Sequence, residues 1–178
     1  MVLQPTLENE LIRIVPLKET DFDVLYAIAS DPEIWEQHPN KDRYKKPVFQ
    51  VFFEGAIESK GAFLVFDNVT GKPIGSSRFY DWNETGKSIF IGYTFIAKDH
   101  WGSTYNPALK KLMLDYAFNF VDTVYFHIGA NNIRSQMAIT RLGAKKIREV
   151  AVEYYGEDMK LNVEFCINRH EWNKQLSW

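Results

Sequence analysis

Apolar and polar positions alternate over Leu11–Leu17 (LIRIVPL), the period-two pattern of a strand with one face in a core. Phe22, Leu25, Tyr26 and Ala29 then recur at helical spacing. Thr20 or Asp21 stands ready as N-cap, and Asp31-Pro32 is a stop. Neither period holds over 32–47. That segment carries Trp35, His38, Pro39 and Tyr44 and reads as a loop or short helical turn that covers something. Val48, Phe52, Ala56 and Ser59 restore the helical period until Gly61 ends it.

Closely spaced turn signals follow, as in antiparallel hairpins. Three strands are predicted at Ala62–Asp67, Pro73–Trp82 and Ser88–Ile96, with turns around Thr70-Gly71 and Gly86. The third strand is nearly all β-branched or aromatic. It runs into a short polar loop, Asp99–Tyr105 (DHWGSTY), and then a helix opened by Asn106 as N-cap and Pro107 at the first helical position. Ala108, Leu109, Leu112, Met113, Tyr116, Ala117 and Phe120 give that helix its apolar face. A strand leading over a short loop into a helix start presents free N–H groups and a positive dipole end, which is a site for phosphate or another anion. Thr123–Ile128 is a further strand, Asn132 caps a helix over Ile133–Leu142, and Ala144–Val150 with Lys160–Asn168 closes the sheet. Arg169–Trp178 is a short tail. The order β-α-α-β-β-β-α-β-α-β-β predicts an α/β domain over residues 1–178, with a mixed, mostly antiparallel sheet of about seven strands and about four helices.

Composition narrows the function classes. A net charge of −2 with no basic run argues against a nucleic-acid partner. No apolar stretch reaches membrane-span length, and the first residues show no signal-peptide pattern. One cysteine, Cys166, excludes an internal disulfide framework, so a cytoplasmic protein is expected. His38, His100, His127 and His170 lack ligand spacing with Cys or Glu, so no metal is expected. The GxGxxG pattern is absent, which disfavours a Rossmann nucleotide site. The 15% aromatic content fits core filling or an aromatic-lined pocket.

Three segments in this order, Ile74–Tyr80 with Ile91–Thr94, His100–Phe118, and Asn132–Gly143, resemble the GCN5-related N-acetyltransferase (GNAT) superfamily, and within it the RimJ/RimL-like (ribosomal-protein-alanine acetyltransferase) branch. The resemblance covers most of the chain. It implies acetyl transfer from acetyl-CoA to an amine acceptor. It also implies a splay between the fourth and fifth strands, Ser88–Ile96 and Thr123–Ile128, with the pantetheine arm along the fourth strand's edge at Phe95 and Ile96. The pyrophosphate then falls on the loop Trp101, Gly102, Ser103, Thr104, Tyr105 and Asn106. Dimers are common in the family. The loop departs from the family pattern: Asp99 stands at a basic or Gln position, and Thr104 at a small one.

By the same resemblance Asn132 contacts the pantetheine arm, Ser135 lies at the thiol, and Tyr93 lies against the thioester. The Tyr that many members place seven residues past the Asn is Ile139 here, and the Glu before the IGYT glycine is Phe90. No general base is assigned, although His127 has the chemistry of a proton acceptor. Trp35, Tyr80, Trp82 and His127 are expected to line an acceptor pocket, with either a peptide terminus or a small polyamine as the amine. The alternative is an inactive GNAT-fold module that binds CoA or another protein. The missing Tyr and Glu and the Asp99 substitution favour the module; Gly102, Asn132, Ser135 and the intact helix start favour the enzyme.

Overall fold

The computed structural model describes residues 1–102 and 104–175. The chain begins with a two-residue strand, β1 (Leu7–Glu8), antiparallel to β2 (Ile12–Pro16). Helices α1 (Phe22–Ala29) and α2 (Lys46–Ser59) follow, separated by 3₁₀ turns at Pro32–Trp35 and Lys41–Tyr44. Next come β3 (Ala62–Asp67), β4 (Pro73–Asn83), β5 (Ser88–Ile96), α3 (Tyr105–Ala117), β6 (Thr123–Gly129), α4 (Ile133–Arg141), β7 (Lys145–Val152), β8 (Lys160–Asn168) and α5 (Arg169–Gln175). All eight strands form one sheet in the order β1-β2-β3-β4-β5-β6-β8-β7. Every pair is antiparallel except β5 with β6.

The α/β class and mixed sheet are as the sequence predicts. The added β1 is too short to show a period, and the tail folds as α5, which buries Trp172 against the core. Asn106 is not the N-cap of the central helix. The helix starts two residues before Pro107, at Tyr105, with Thr104 in the cap position, and places Asn106 and Pro107 inside its first turn. Pro107 is tolerated there because first-turn N–H groups have no intrahelical partner. Pro47 sits likewise in the first turn of α2.

Two apolar layers sandwich the sheet. Leu109, Met113, Leu114 and Ala117 of α3, Ile139 of α4 and Trp172 of α5 pack on one face, against Ile12, Ile14, Phe63, Val65, Ile89 and Ile91. Leu25 and Ala29 of α1 and Phe49, Phe52, Phe53 and Ala56 of α2 pack on the other, with Ala62, Leu64 and Phe95. β3 serves both layers, which explains its unbroken apolar run.

Two features of β5 position the site. It pairs with β6 only at Ser88–Thr123, Ile89–Val124 and Phe90–Tyr125, and beyond these the parallel strands part. The register against β4 also slips between Ser76–Phe95 and Arg78–Gly92. β5 therefore carries one extra residue, a bulge at Tyr93 with φ of 53°. A left-handed conformation at an aromatic residue costs roughly 1–3 kcal/mol and persists where the surroundings enforce it. The bulge reverses the strand's alternation: Ile89 and Ile91 face α3, whereas Tyr93 and Phe95 face α2.

Candidate active site

Where β5 and β6 part, a cavity of about 370 Å³ opens. Its walls are β5 from Ile91 to Ile96, β6 from Phe126 to Gly129, the loop His100–Gly102, Asn106 and Lys110 of α3, and the inner face of α4. Ile34, His38, Pro39 and Arg43 close it from the segment between α1 and α2, and Tyr154 from the segment between β7 and β8. Tyr80, Tyr93, Phe95, Ile96, Trp101, Gly102, Asn106, His127, Asn132 and Ser135, all singled out from sequence, meet on this wall.

Others do not. Trp35 is fully buried, donates from Nε1 to the Ala29 carbonyl at 2.7 Å, and sits in the α1–α2 core. Trp82 packs against the opposite core. Neither lines the cavity: the Trp35 indole gains more from full burial than from a partly wet wall, and Trp82 lies half-buried on the α3 side. Thr104 and Tyr105 are also off the wall, and Tyr105 instead stacks edge-on against His100 at 4.7 Å. Ser103 lies outside the described residues.

The loop after β5 is pinned from behind. His100 Nε2 donates to Asp67 Oδ2 at 3.1 Å, and Thr70 Oγ1 donates to the same carboxylate at 2.9 Å. Burial pushes the Asp67 carboxyl up. Hydrogen bonds from the Val69 N–H, His100, Thr70 and Tyr105 overcome this and hold it at about 2. Asp99 is exposed and off the cavity wall. Its charge therefore faces solvent. No side chain among the described residues caps the first turn of α3. Gly102 has φ of 123°, and a Cβ there meets no protein atom within 4 Å, so the space beside it is open. Across the opening, Arg134 of α4 stacks its guanidinium 4.0 Å from the ring centre of Trp101. Free N–H groups, an open glycine and a nearby cation suit a polyanion.

Deeper in, Asn132 caps α4 by accepting from the Ser135 N–H at 3.2 Å, which leaves the Ser135 hydroxyl on the wall. Beneath the bulge, Lys110 Nζ donates to Thr94 Oγ1, which is also bonded to Ser77 Oγ at 2.8 Å. Lys110 is 7% exposed, and burial brings its ammonium down to about 7.

On the α2 side of the sheet, His127 Nε2 donates to Glu164 Oε2 at 2.7 Å, and Arg148 Nε donates to Glu164 Oε1 at 3.2 Å. Burial raises the Glu164 carboxyl, but the bonds from His127 and Arg148 outweigh it and hold the carboxylate ionised. An ionised Glu164 can only accept, so the proton of this bond sits on His127 Nε2. Tyr80 and Tyr93 meet edge-to-face at 5.1 Å beside it. Gly92 lets the Tyr80 ring come close: a Cβ there would fall 3.1 Å from it, so the ring would have to give by a few tenths of an ångström.

Lys110, Arg134, Arg43 and Glu164 were not singled out from sequence. The first two lie at ordinary helix positions and the last two come from distant segments, so no spacing links them to the site.

The sequence profile of the acetyltransferase (GNAT) domain matches residues 12–145. No curated protein matches the chain in sequence. Among solved structures, a GCN5-related N-acetyltransferase from Brucella melitensis superposes with a TM-score of 0.81 at 18% identity, covering 96% of this chain and 81% of that one. Spermidine N-acetyltransferase from Vibrio cholerae, solved with CoA and spermine, gives 0.70 at 16% identity, covering 93% and 99%. RimJ from Mycobacterium smegmatis, solved with CoA-disulfide, gives 0.71 at 14% identity, covering 90% and 83%. At these identities the superpositions establish the fold. The profile runs from the start of β2 to the start of β7, across the splay and the loop beneath it, and the chain belongs to the GNAT acetyltransferase family, whose members move an acetyl group from acetyl-CoA to an amine.

Proposed function

We propose that this protein transfers an acetyl group from acetyl-CoA to a primary amine by direct attack in a ternary complex. The observation that carries the reading is the cavity at the splay. It is lined by an anion-suited loop and by His127, whose ring is held by Glu164. The Asn132-x-x-Ser135 spacing supports a place in the RimJ/RimL-like branch, and we read residues 1–178 as a single cytoplasmic domain.

Acetyl-CoA supplies the activated thioester. The α3 start, Gly102 and Arg134 hold its phosphates, and the Asn132 amide and the β5 edge at Phe95 and Ile96 hold its arm. Between the β4-paired positions Gly92 and Phe95, the bulged Tyr93–Thr94 backbone is free to aim an N–H group at the acyl oxygen, where negative charge builds. His127 Nδ1 accepts the proton that the amine nitrogen loses as its bond to the acetyl carbon forms. The carbon–sulfur bond breaks, and the Ser135 hydroxyl hydrogen-bonds the departing sulfur. Pro39, Arg43 and Tyr154 wall off one side of the site and limit the water that reaches it there.

The test is calorimetric titration of acetyl-CoA, then thiol release across a panel of amines. Saturable binding and amine-dependent release support the reading. Binding without release from any amine would move the protein to a CoA-binding module, and no binding would remove the cofactor altogether.

A further inference from the structure

Below Tyr80 and Tyr93, on the α2 side of the sheet, lies a second, open cleft of about 580 Å³. Gly55, Glu58 and Ser59 of α2 form one wall, the end of β7 with Glu153 and Tyr155 another, and Arg78, Asp81 and His127 the floor and side. It shares Tyr80, Tyr93 and His127 with the splay cavity, so it is the approach from which an acceptor reaches the site.

Arg78 is 5% exposed. Its guanidinium lies 3.9 Å from the ring centre of Tyr93 and 5.8 Å from that of Phe52. It makes no hydrogen bond or ion pair among the described residues, and its Nε is fully buried without a partner. The other buried charges are answered. Arg43 is held by Glu157, Asp67 by His100, and Glu164 by His127 and Arg148. Lys110 bonds to Thr94 and can shed its proton. A guanidinium has no such route: burial lowers Arg78 only to about 10, so it stays charged at neutral pH. A ring face offsets part of the cost of burying a cation but satisfies none of its in-plane N–H donors. The carboxylates of the cleft do not serve either. Glu58, Asp81 and Glu153 are exposed, and Glu58 already accepts from Tyr155.

We infer that Arg78 binds an oxyanion carried by the acceptor, so that the substrate is a small amine bearing its own carboxylate or phosphate. The planar fork of a guanidinium matches either group. Solvated carboxylates at the rim draw in the ammonium end, while the desolvated arginine takes the anionic end. His127 stands in the same cleft for the amine proton. A polyamine would leave Arg78 unanswered and place like charges together. This inference rests on the transferase reading above, and its test separates the two.

Initial rates at saturating acetyl-CoA are measured for matched pairs: an amino acid against its carboxamide, and phosphoethanolamine against ethanolamine, with spermidine beside them. We expect the anionic member to be preferred by about 100-fold or more in kcat/KM, as for a site built to hydrogen-bond a group its analogue lacks. The pair with the larger ratio identifies carboxylate or phosphate. Equal rates within a pair, or spermidine as the best acceptor, would overturn the inference while leaving the transferase intact. In Arg78→Gln the preference should collapse at least about tenfold, and Arg78→Lys should restore part of it; a preference that survives Arg78→Gln overturns the assignment. If acetyl-CoA fails to bind, the transferase reading falls by itself. The same amines titrated into cofactor-free protein then read Arg78 directly. Heat from anionic members that vanishes in Arg78→Gln supports the site, and no heat from any of them refutes it.

Discussion

Arg43 joins the turn at Lys41–Tyr44 to the segment between β7 and β8. It donates from Nε to Glu157 Oε1 at 3.0 Å and from one terminal nitrogen to Oε2 at 2.9 Å. The two side chains are 3% and 7% exposed, so solvent screens little of the pair. The guanidinium also lies 4.9 Å from the Phe52 ring centre and 5.3 Å from that of Tyr154. Arg43→Met keeps most of the apolar volume and leaves Glu157 buried without a partner. Breaking one side of such a pair costs about 3–5 kcal/mol, whereas replacing both members by apolar residues is often close to neutral. In a chain of this size each kcal/mol moves the melting temperature by about 2–4 °C. Arg43→Met should therefore melt about 6–20 °C lower, and Arg43→Met/Glu157→Leu should recover most of the loss. Differential scanning calorimetry with urea titration at constant m-value reads both variants. A single variant within about 2 °C of the parent, or a double variant whose losses simply add, would refute the claim that the two are a coupled buried pair.

Other perturbations test the site and its surroundings. His127→Gln should lower kcat by about 100-fold or more with little change in acetyl-CoA affinity, and Glu164→Gln by less, since it disturbs only the orientation and tautomer of the ring. Equal rates would remove His127 as proton acceptor. Ser135→Ala should slow turnover more than it weakens acetyl-CoA binding, and an unchanged rate would strip Ser135 of its part at the sulfur. Gly102→Val should weaken acetyl-CoA binding through its positive φ and a side chain projecting into open space; unchanged affinity would show that the phosphates lie elsewhere. Lys110 titrates lower in the folded chain than in the unfolded one, so the unfolded state binds more protons between about pH 7 and 10.5. Stability should rise with pH across that window in the parent. The rise should flatten in Lys110→Met, which should also melt higher at pH 7, and an unaltered pH slope in thermal melts would count against a buried ammonium that has a hydroxyl partner but no carboxylate.

Much of the fold was legible because its signals are local. The alternation at Ile12–Pro16, the apolar run of β3 and the Asn132 cap each lie within a few residues, and the structure returns each where the pattern puts it. What was not legible depends on register. Nothing in the string Ser88–Ile96 announces that Tyr93 adopts a left-handed conformation. A strict period of two would have sent Tyr93 and Phe95 to the α3 face. The bulge is decided by pairing with β4, where Gly92 lets the Tyr80 ring approach and Phe95 packs among Trp35, Phe49 and Phe52.

The candidate site divides along the same line. Residues within or beside the loop and cap motifs, Trp101, Gly102, Asn106, Asn132 and Ser135, reach the cavity because local backbone geometry carries them there. The aromatic signal was weaker: Tyr80 arrives, but Trp35 and Trp82 go to the two cores, since a large apolar ring suits an interior as well as a pocket. The charges were least legible. Arg43 and Glu157 are 114 residues apart, and His127 and Glu164 are 37 apart, so only the folded sheet reveals the partners. The same comparison exposes Arg78. In sequence it is one of 21 basic residues facing 23 acidic ones, with no shortage of partners. In the fold the nearby buried Arg43 has a carboxylate and Arg78 has none. Folding alone favours an apolar residue at such a position. Retaining a charge that cannot be shed, at the floor of a cleft shared with His127, is physically coherent when a ligand brings the missing negative charge.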